Sequence, residues 1–141
     1  LRSLKRRPAK RHIAVLGNMH ELGEYETKGF GDVAKEFDSL SMLVFVGPLA
    51  KQYFVPLAKE HGYTADENLF YIETALEAGT FLQDQLTSND IVLVKGPFGG
   101  YYLEETVRLL LKNPEDRVNL TRQSDFWVKK KRLHFGDAYN V

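Results

Sequence analysis

Apolar residues along this chain gather into four short runs, each closed by a turn residue and separated by segments of helical period. The first is His12-Ile13-Ala14-Val15-Leu16-Gly17. A continuous apolar stretch ended by glycine predicts a strand buried on both faces. Ser41-Met42-Leu43-Val44-Phe45-Val46-Gly47 predicts a second strand, stopped by Gly47-Pro48, and Leu69-Phe70-Tyr71-Ile72 a third. Asp90-Ile91-Val92-Leu93-Val94-Lys95-Gly96 predicts the fourth. Between them the period changes. Phe30, Val33, Ala34, Phe37 and Leu40 share one helical face, which predicts a helix from Thr27. Residues 49–61 predict another, with Tyr53, Phe54, Leu57 and Ala58 on one side and His61-Gly62 as its stop. Pro56 is expected to kink this helix or mark its first turn. Thr74 caps a third helix to about Leu86, with Ala75, Ala78, Leu82 and Leu86 inward. Residues 102–111 read as a fourth helix, with Leu103, Val107, Leu110 and Leu111 apolar.

Four apolar strands alternating with amphipathic helices require crossover connections. The expected fold class is therefore α/β: a doubly wound, mostly parallel, Rossmann-like sheet with helices on both faces. Residues 1–11 carry six basic side chains, with Leu1 and Leu4 at helical spacing before Pro8, and read as the last turns of a helix. Since the first residue is Leu1, a longer parent chain is expected. Residues 18–26 show no regular period. After Asn113-Pro114 the pattern fades, so residues 1–114 are expected to form the α/β domain and residues 115–141 an extension packed on it or trailing from it. Within that extension residues 115–128 read as partly helical, with Phe126 and Trp127 packing on an outer helix. The run Lys129-Lys130-Lys131-Arg132 reads as solvated, and residues 133–141 as an unpatterned tail.

Composition narrows the function. A length of 141 residues suits one domain with a core that needs no staple. Nineteen Lys and Arg balance nineteen Asp and Glu, which argues against a protein that neutralises nucleic-acid phosphates. No cysteine is present, so disulfides, thiolate metal sites and cysteine nucleophiles are excluded. No apolar run approaches the ~20 residues of a membrane span, and no apolar segment follows the basic N-terminus as in a signal peptide. A cytoplasmic location is expected.

Open parallel sheets bind ligands beyond the carboxyl ends of their strands, where strand order reverses. If the first and fourth strands are neighbours, the loops after them flank that crevice. Gly17-Asn18-Met19-His20-Glu21-Leu22-Gly23-Glu24 sets polar groups between two glycines. Lys95-Gly96-Pro97-Phe98-Gly99-Gly100 sets a cation before a glycine-rich turn into a helix, an arrangement suited to a carboxylate or phosphate; tight turning with Lys95 in solvent is the plainer reading. Neither a G-x-G-x-x-G after the first strand nor a Walker motif occurs, and His12, His20, His61 and His134 lack metal-ligand spacing. Glu21, Glu24 and Glu26 could meet an amine or act as a base, although exposed acids of this kind are ordinarily solvated.

The run from Ile13 to Tyr25 resembles the I-A-V-L-G-D-M-x-E-L-G-E-Y segment of MurF-type Mur ligases, the UDP-N-acetylmuramoyl-tripeptide–D-alanyl-D-alanine ligases of peptidoglycan synthesis. Val44-Phe45-Val46-Gly47 is similar to the family's next strand end. Ile91-Val92-Leu93-Val94-Lys95-Gly96 resembles its L-V-K-G-S segment, and Leu103-Glu104-Glu105-Thr106-Val107 its L-E-x-x-V helix. The resemblance runs over about residues 1–111. It implies the C-terminal of three domains, inert alone, which orients D-Ala-D-Ala toward an acyl phosphate of the UDP-MurNAc-peptide. The implied partners are the N-terminal and central domains, with no nucleic acid. ATP and Mg2+ would bind mainly outside this chain, none being intrinsic to it, and no metal site or catalytic residue is implied here. Asn18, His20 and Glu21 would line one wall of the substrate site, and Lys95, Gly96 and Phe98 the other. The chain departs from the pattern at Asn18, where the family has Asp, at Phe30 in place of a His, and at Pro97-Phe98 in place of the Ser segment. The opening D-x-Y-N-x-N-P segment is missing, with only an echo in Asp137-Ala138-Tyr139-Asn140. These departures motivate a second reading, a non-catalytic module that binds a small molecule or protein. A third is an interaction domain that docks through Trp127 and the basic run.

Overall fold

The computed structural model describes residues 1–140. Strands β1 (Arg11–Gly17), β2 (Met42–Val46), β3 (Leu69–Ile72) and β4 (Asp90–Lys95) form one sheet in the order β3-β2-β1-β4. All three pairings are parallel. Helix α1 (Arg2–Lys5) precedes the sheet. The crossovers contain α2 (Glu26–Ala34), α3 (Pro48–Glu60) and α4 (Ala75–Gln85), while α5 (Glu104–Leu110) and α6 (Asp125–Phe135) follow β4. The expected Rossmann-like α/β class holds, with every strand parallel.

Alternation along β1 explains the two layers. Ala14 and Leu16 join the core cluster containing Phe30, Ala34, Phe54 and Ala58 from α2 and α3. Ile13 and Val15 join the opposite cluster, with Ala75, Ala78 and Leu82 of α4 and Leu103 before α5. Because both faces are covered, the strand interiors must be apolar, as residues 13–16, 42–46, 69–72 and 91–94 are, with charged residues only at strand ends. Phe45 of β2 packs against Phe54 and Phe37 at ring-centroid distances of 5.1 and 5.7 Å.

Several boundaries differ from the periodic reading, each for a local reason. Helix α2 ends at Ala34, not Leu40. Phe37 and Leu40 are still buried, but from turns, where the Tyr63 hydroxyl lies within hydrogen-bond reach of both their carbonyls. A left-handed Ser39 turns the chain between them. Pro48 marks the first turn of α3, while Pro56 sits inside the helix on its exposed side and ends nothing. Thr74 caps α4 as expected, in a reciprocal capping box with Glu77.

The largest correction concerns the last third of the chain. Helix α5 buries Glu104, Glu105 and Thr106, whereas Val107, Leu110 and Leu111 are only half-buried. Lys131, expected in solvent, is fully buried. Its ammonium donates to Glu105 at 2.6 Å and to the Arg122 carbonyl at 2.7 Å, and lies 3.0 Å from Glu104. Arg122 forms a two-pronged pair with Glu104, and Arg108 pairs with Glu105. Burial raises the Glu104 carboxyl, but hydrogen bonds from Arg122 and Lys131 outweigh it and hold the group below the ordinary carboxylate range. Two carboxylates and one ammonium thus leave water together, with the half-buried guanidiniums of Arg108 and Arg122 closing the set, so that none of the buried charges stays unpaired. The unpatterned tail is also structured: Leu133, His134 and Phe135 belong to α6, and Gly136–Ala138 forms a 3-10 turn. Val141 lies outside the described residues. Trp127 is half-buried, but Phe126 remains exposed rather than packed down.

Opposite the carboxyl rim, Arg11 and Asp90 join the first residues of β1 and β4 by a bidentate pair. This pair and the Thr87 amide and hydroxyl hold the Asp90 carboxyl down at about 2, against an ordinary 3.8. A depressed folded-state value means that the stabilisation is complete above pH 4 and disappears as pH falls through about 2. Chemical denaturation should therefore show Asp90→Asn losing about 1–2 kcal/mol at pH 7 and almost nothing near pH 2. Lys131→Met should cost about 2–4 kcal/mol by the same measurement, since it leaves the buried Glu105 with Arg108 as its remaining cation and removes one of the two on Glu104.

Candidate functional site

Strand order reverses between β1 and β4: the chain winds from β1 through β2 to β3 on one side, then returns to add β4 on the other. The loops leaving β1 and β4 must part there. Leu16 pairs with Lys95 in the ladder, so the two loops start within one residue of each other. A Cβ placed on Gly17 would lie 2.9 Å from Leu103 and 3.3 Å from the Gly96 backbone, and one on Gly96 would lie 2.4 Å from Leu103. Glycine at both positions leaves room for the Leu103 side chain against the two strand ends.

Beyond this contact the loops enclose a cleft of about 560 Å³. Asn18, His20 and Glu21 line one wall, and Lys95, Gly96 and Phe98 the other. All six residues singled out from the sequence therefore meet in one cleft. Met19, Val33, Phe54 and Pro97 complete an apolar floor.

The six do not have equal freedom. Asn18 is buried, and its Oδ1 accepts the Ala50 amide at 2.9 Å. It thereby caps α3 from the neighbouring loop, because the N-cap position itself is Gly47, which has no side chain to do so. A side chain at Gly47, where φ is +97°, would strike both Asn18 and Tyr101. The Asn18 Nδ2 is buried without a partner among the described residues. His20 stacks on Tyr101 at 5.9 Å, linking the two loops. Lys95, Glu21 and Phe98 are exposed, Phe98 by 80%. Neither Lys95 nor Glu21 has an ion-pair partner among the described residues. The cleft therefore presents a free cation on one wall and a free carboxylate on the other, over an apolar floor.

The family model described as "Mur ligase, glutamate ligase domain" matches residues 1–98, more than half of the chain and all four strands. The chain is a Mur ligase C-terminal domain. No curated protein matches it. Among the described residues of this Mur ligase domain no helix is long and apolar enough to cross a membrane. Among the described residues no group of three His, Asp or Glu could hold a metal ion.

Two contributors to the Mur ligase cleft had no signal in the sequence. Tyr101 lies outside the glycine run, and its role comes from stacking on a residue 81 positions away (101 minus 20). Arg122 reaches the second loop from the extension: it donates through Nη1 to the Phe98 carbonyl at 2.9 Å, and its guanidinium lies 5.5 Å from the Phe98 ring centroid. Met19 and Pro97 stood within the quoted loops and could have been named from their position alone.

The capping role of Asn18 is directly testable. Asn18→Ala should lower stability by about 1–2 kcal/mol in thermal denaturation, through the lost cap on α3. Asn18→Asp keeps the acceptor beside the positive end of the helix and should lose much less.

Proposed function

We propose that this domain positions D-alanyl-D-alanine in a MurF-type ligase, which joins it to a UDP-MurNAc-tripeptide during peptidoglycan precursor synthesis. The observation that carries this reading is the unpaired Lys95 and Glu21 on facing walls of one cleft. A dipeptide bears a carboxylate at one end and an amine at the other. Lys95 and the Gly96 backbone would meet the carboxylate. Glu21 and His20 would face the amine, Asn18 would hold their loop against α3, and Phe98 with the floor would cover the methyl groups. In the reaction the amine forms a bond to the carbonyl carbon of an acyl phosphate made elsewhere in the ligase, phosphate leaves, and the amine loses a proton. The contribution of this chain is orientation, which can remove a large part of such a barrier without a nucleophile.

ATP and Mg2+ fit poorly as residents of this domain. It lacks a Walker motif and a cluster of metal-ligating side chains among its described residues. We read both as bound mainly outside this chain, with the N-terminal and central domains of the parent as its partners. We read residues 1–114 as the working unit, residues 115–141 as its extension, and the cytoplasm as the place where its substrates occur.

In the intact ligase Lys95→Met should raise the KM for D-Ala-D-Ala at least tenfold and leave the KM for ATP within twofold, measured by phosphate release. The 141-residue chain alone should form neither phosphate from ATP nor amide. An unchanged dipeptide KM, or either activity in the isolated chain, overturns the reading.

A further inference from the structure

The loop from Pro97 to Tyr101, which forms one wall of the cleft, has little support of its own. Among the described residues no backbone–backbone hydrogen bond outside the strand and helix ladders involves it. Gly99 and Gly100 add freedom, Gly100 with φ at +82°. Tyr102, where the loop meets α5, holds a left-handed φ of +48°, a conformation that a bulky aromatic residue adopts only when its surroundings enforce it.

The enforcing contacts come from beyond residue 115. Arg122 donates to the Phe98 carbonyl, and its guanidinium lies over one face of the exposed Phe98 ring, 5.5 Å from the centroid. Trp127 meets the Phe98 ring edge-on at 6.3 Å and the Tyr102 ring at 6.4 Å. His134 and Phe135 close on Tyr102 at 5.2 and 5.9 Å. These residues are fastened in turn to α5: Arg122 by its fork on Glu104, and α6 by the buried Lys131 between Glu104 and Glu105.

We propose that Arg122 is a positioning residue of the cleft, and that residues 115–140 are a strap through which the buried charge cluster sets the place of the Phe98 wall. Its guanidinium suits the task. One edge satisfies the Glu104 carboxylate while the remaining nitrogen reaches the loop carbonyl, a division that a single ammonium cannot reproduce. The inference is independent of the dipeptide reading, because it concerns the wall and not the ligand.

Amide hydrogen exchange on the ligand-free 141-residue chain tests it, with emission of Trp127, the only tryptophan, as a second readout. In Arg122→Ala the amides of Phe98 to Tyr101 should exchange at least tenfold faster, and those of β1 and β2 should stay within threefold of the unaltered chain. Trp127 emission should shift to the red as its ring loses Phe98. Arg122→Lys keeps a charge facing Glu104 and should fold even if the alanine variant does not; it should show the same loop-confined increase. Unchanged loop exchange in a folded variant, or an increase shared equally by β1 and β2, overturns the proposal.

Discussion

The pairing of Leu16 with Lys95 places the ends of the first and fourth strands side by side, although 79 residues separate them (95 minus 16). Every feature of the cleft depends on that adjacency. The sheet returns to β1 only after winding out to β3, and the two loops that border the gap leave from the same rim. Gly17 and Gly96 let the backbones touch at its base, and Leu103 fills the space that their missing side chains leave. A cleft formed this way has walls from distant parts of the chain, so its shape follows from the order of the strands and not from any single motif.

Charge is arranged differently at the two ends of the sheet. At the amino ends Arg11 and Asp90 neutralise each other and lock the start of β4 to β1. At the carboxyl ends Lys95 and Glu21 stay exposed and without an ion-pair partner among the described residues. Beside them lie the buried Glu104, Glu105 and Lys131, joined by the half-buried Arg108 and Arg122. Such groups cost a great deal to dehydrate, and their return depends on geometry. Here that geometry ties the extension to α5, and the same Arg122 continues to the cleft wall. A rigid anchor and a soft loop thus share one side chain.

Much of the fold was legible because burial on both faces imposes a simple rule on composition. The run Leu69 to Ile72 coincides with β3, and the Thr74 signal coincides with the capping box of α4. The two cleft loops were also legible, since glycines and charges at strand ends are local features, while the choice of six residues within them came from the family resemblance. Illegible were the features that rest on contacts between distant residues. Asn18 reads as a polar loop residue until Ala50 arrives beneath it. Lys131 reads as a solvated charge until α6 folds over α5. Phe37 and Leu40 keep a helical spacing although the helix has stopped, because turns can point side chains inward at the same intervals.

The sequence by itself determined the alternation of strands and helices, the class of fold, and the two loops worth examining, because each follows from short-range periodicity and turn chemistry. Strand order, the partners of the buried charges and the strap across the Phe98 loop were decided only by the tertiary structure. Those depend on which surfaces lose water together, and that is a property of the packed chain, not of any segment within it.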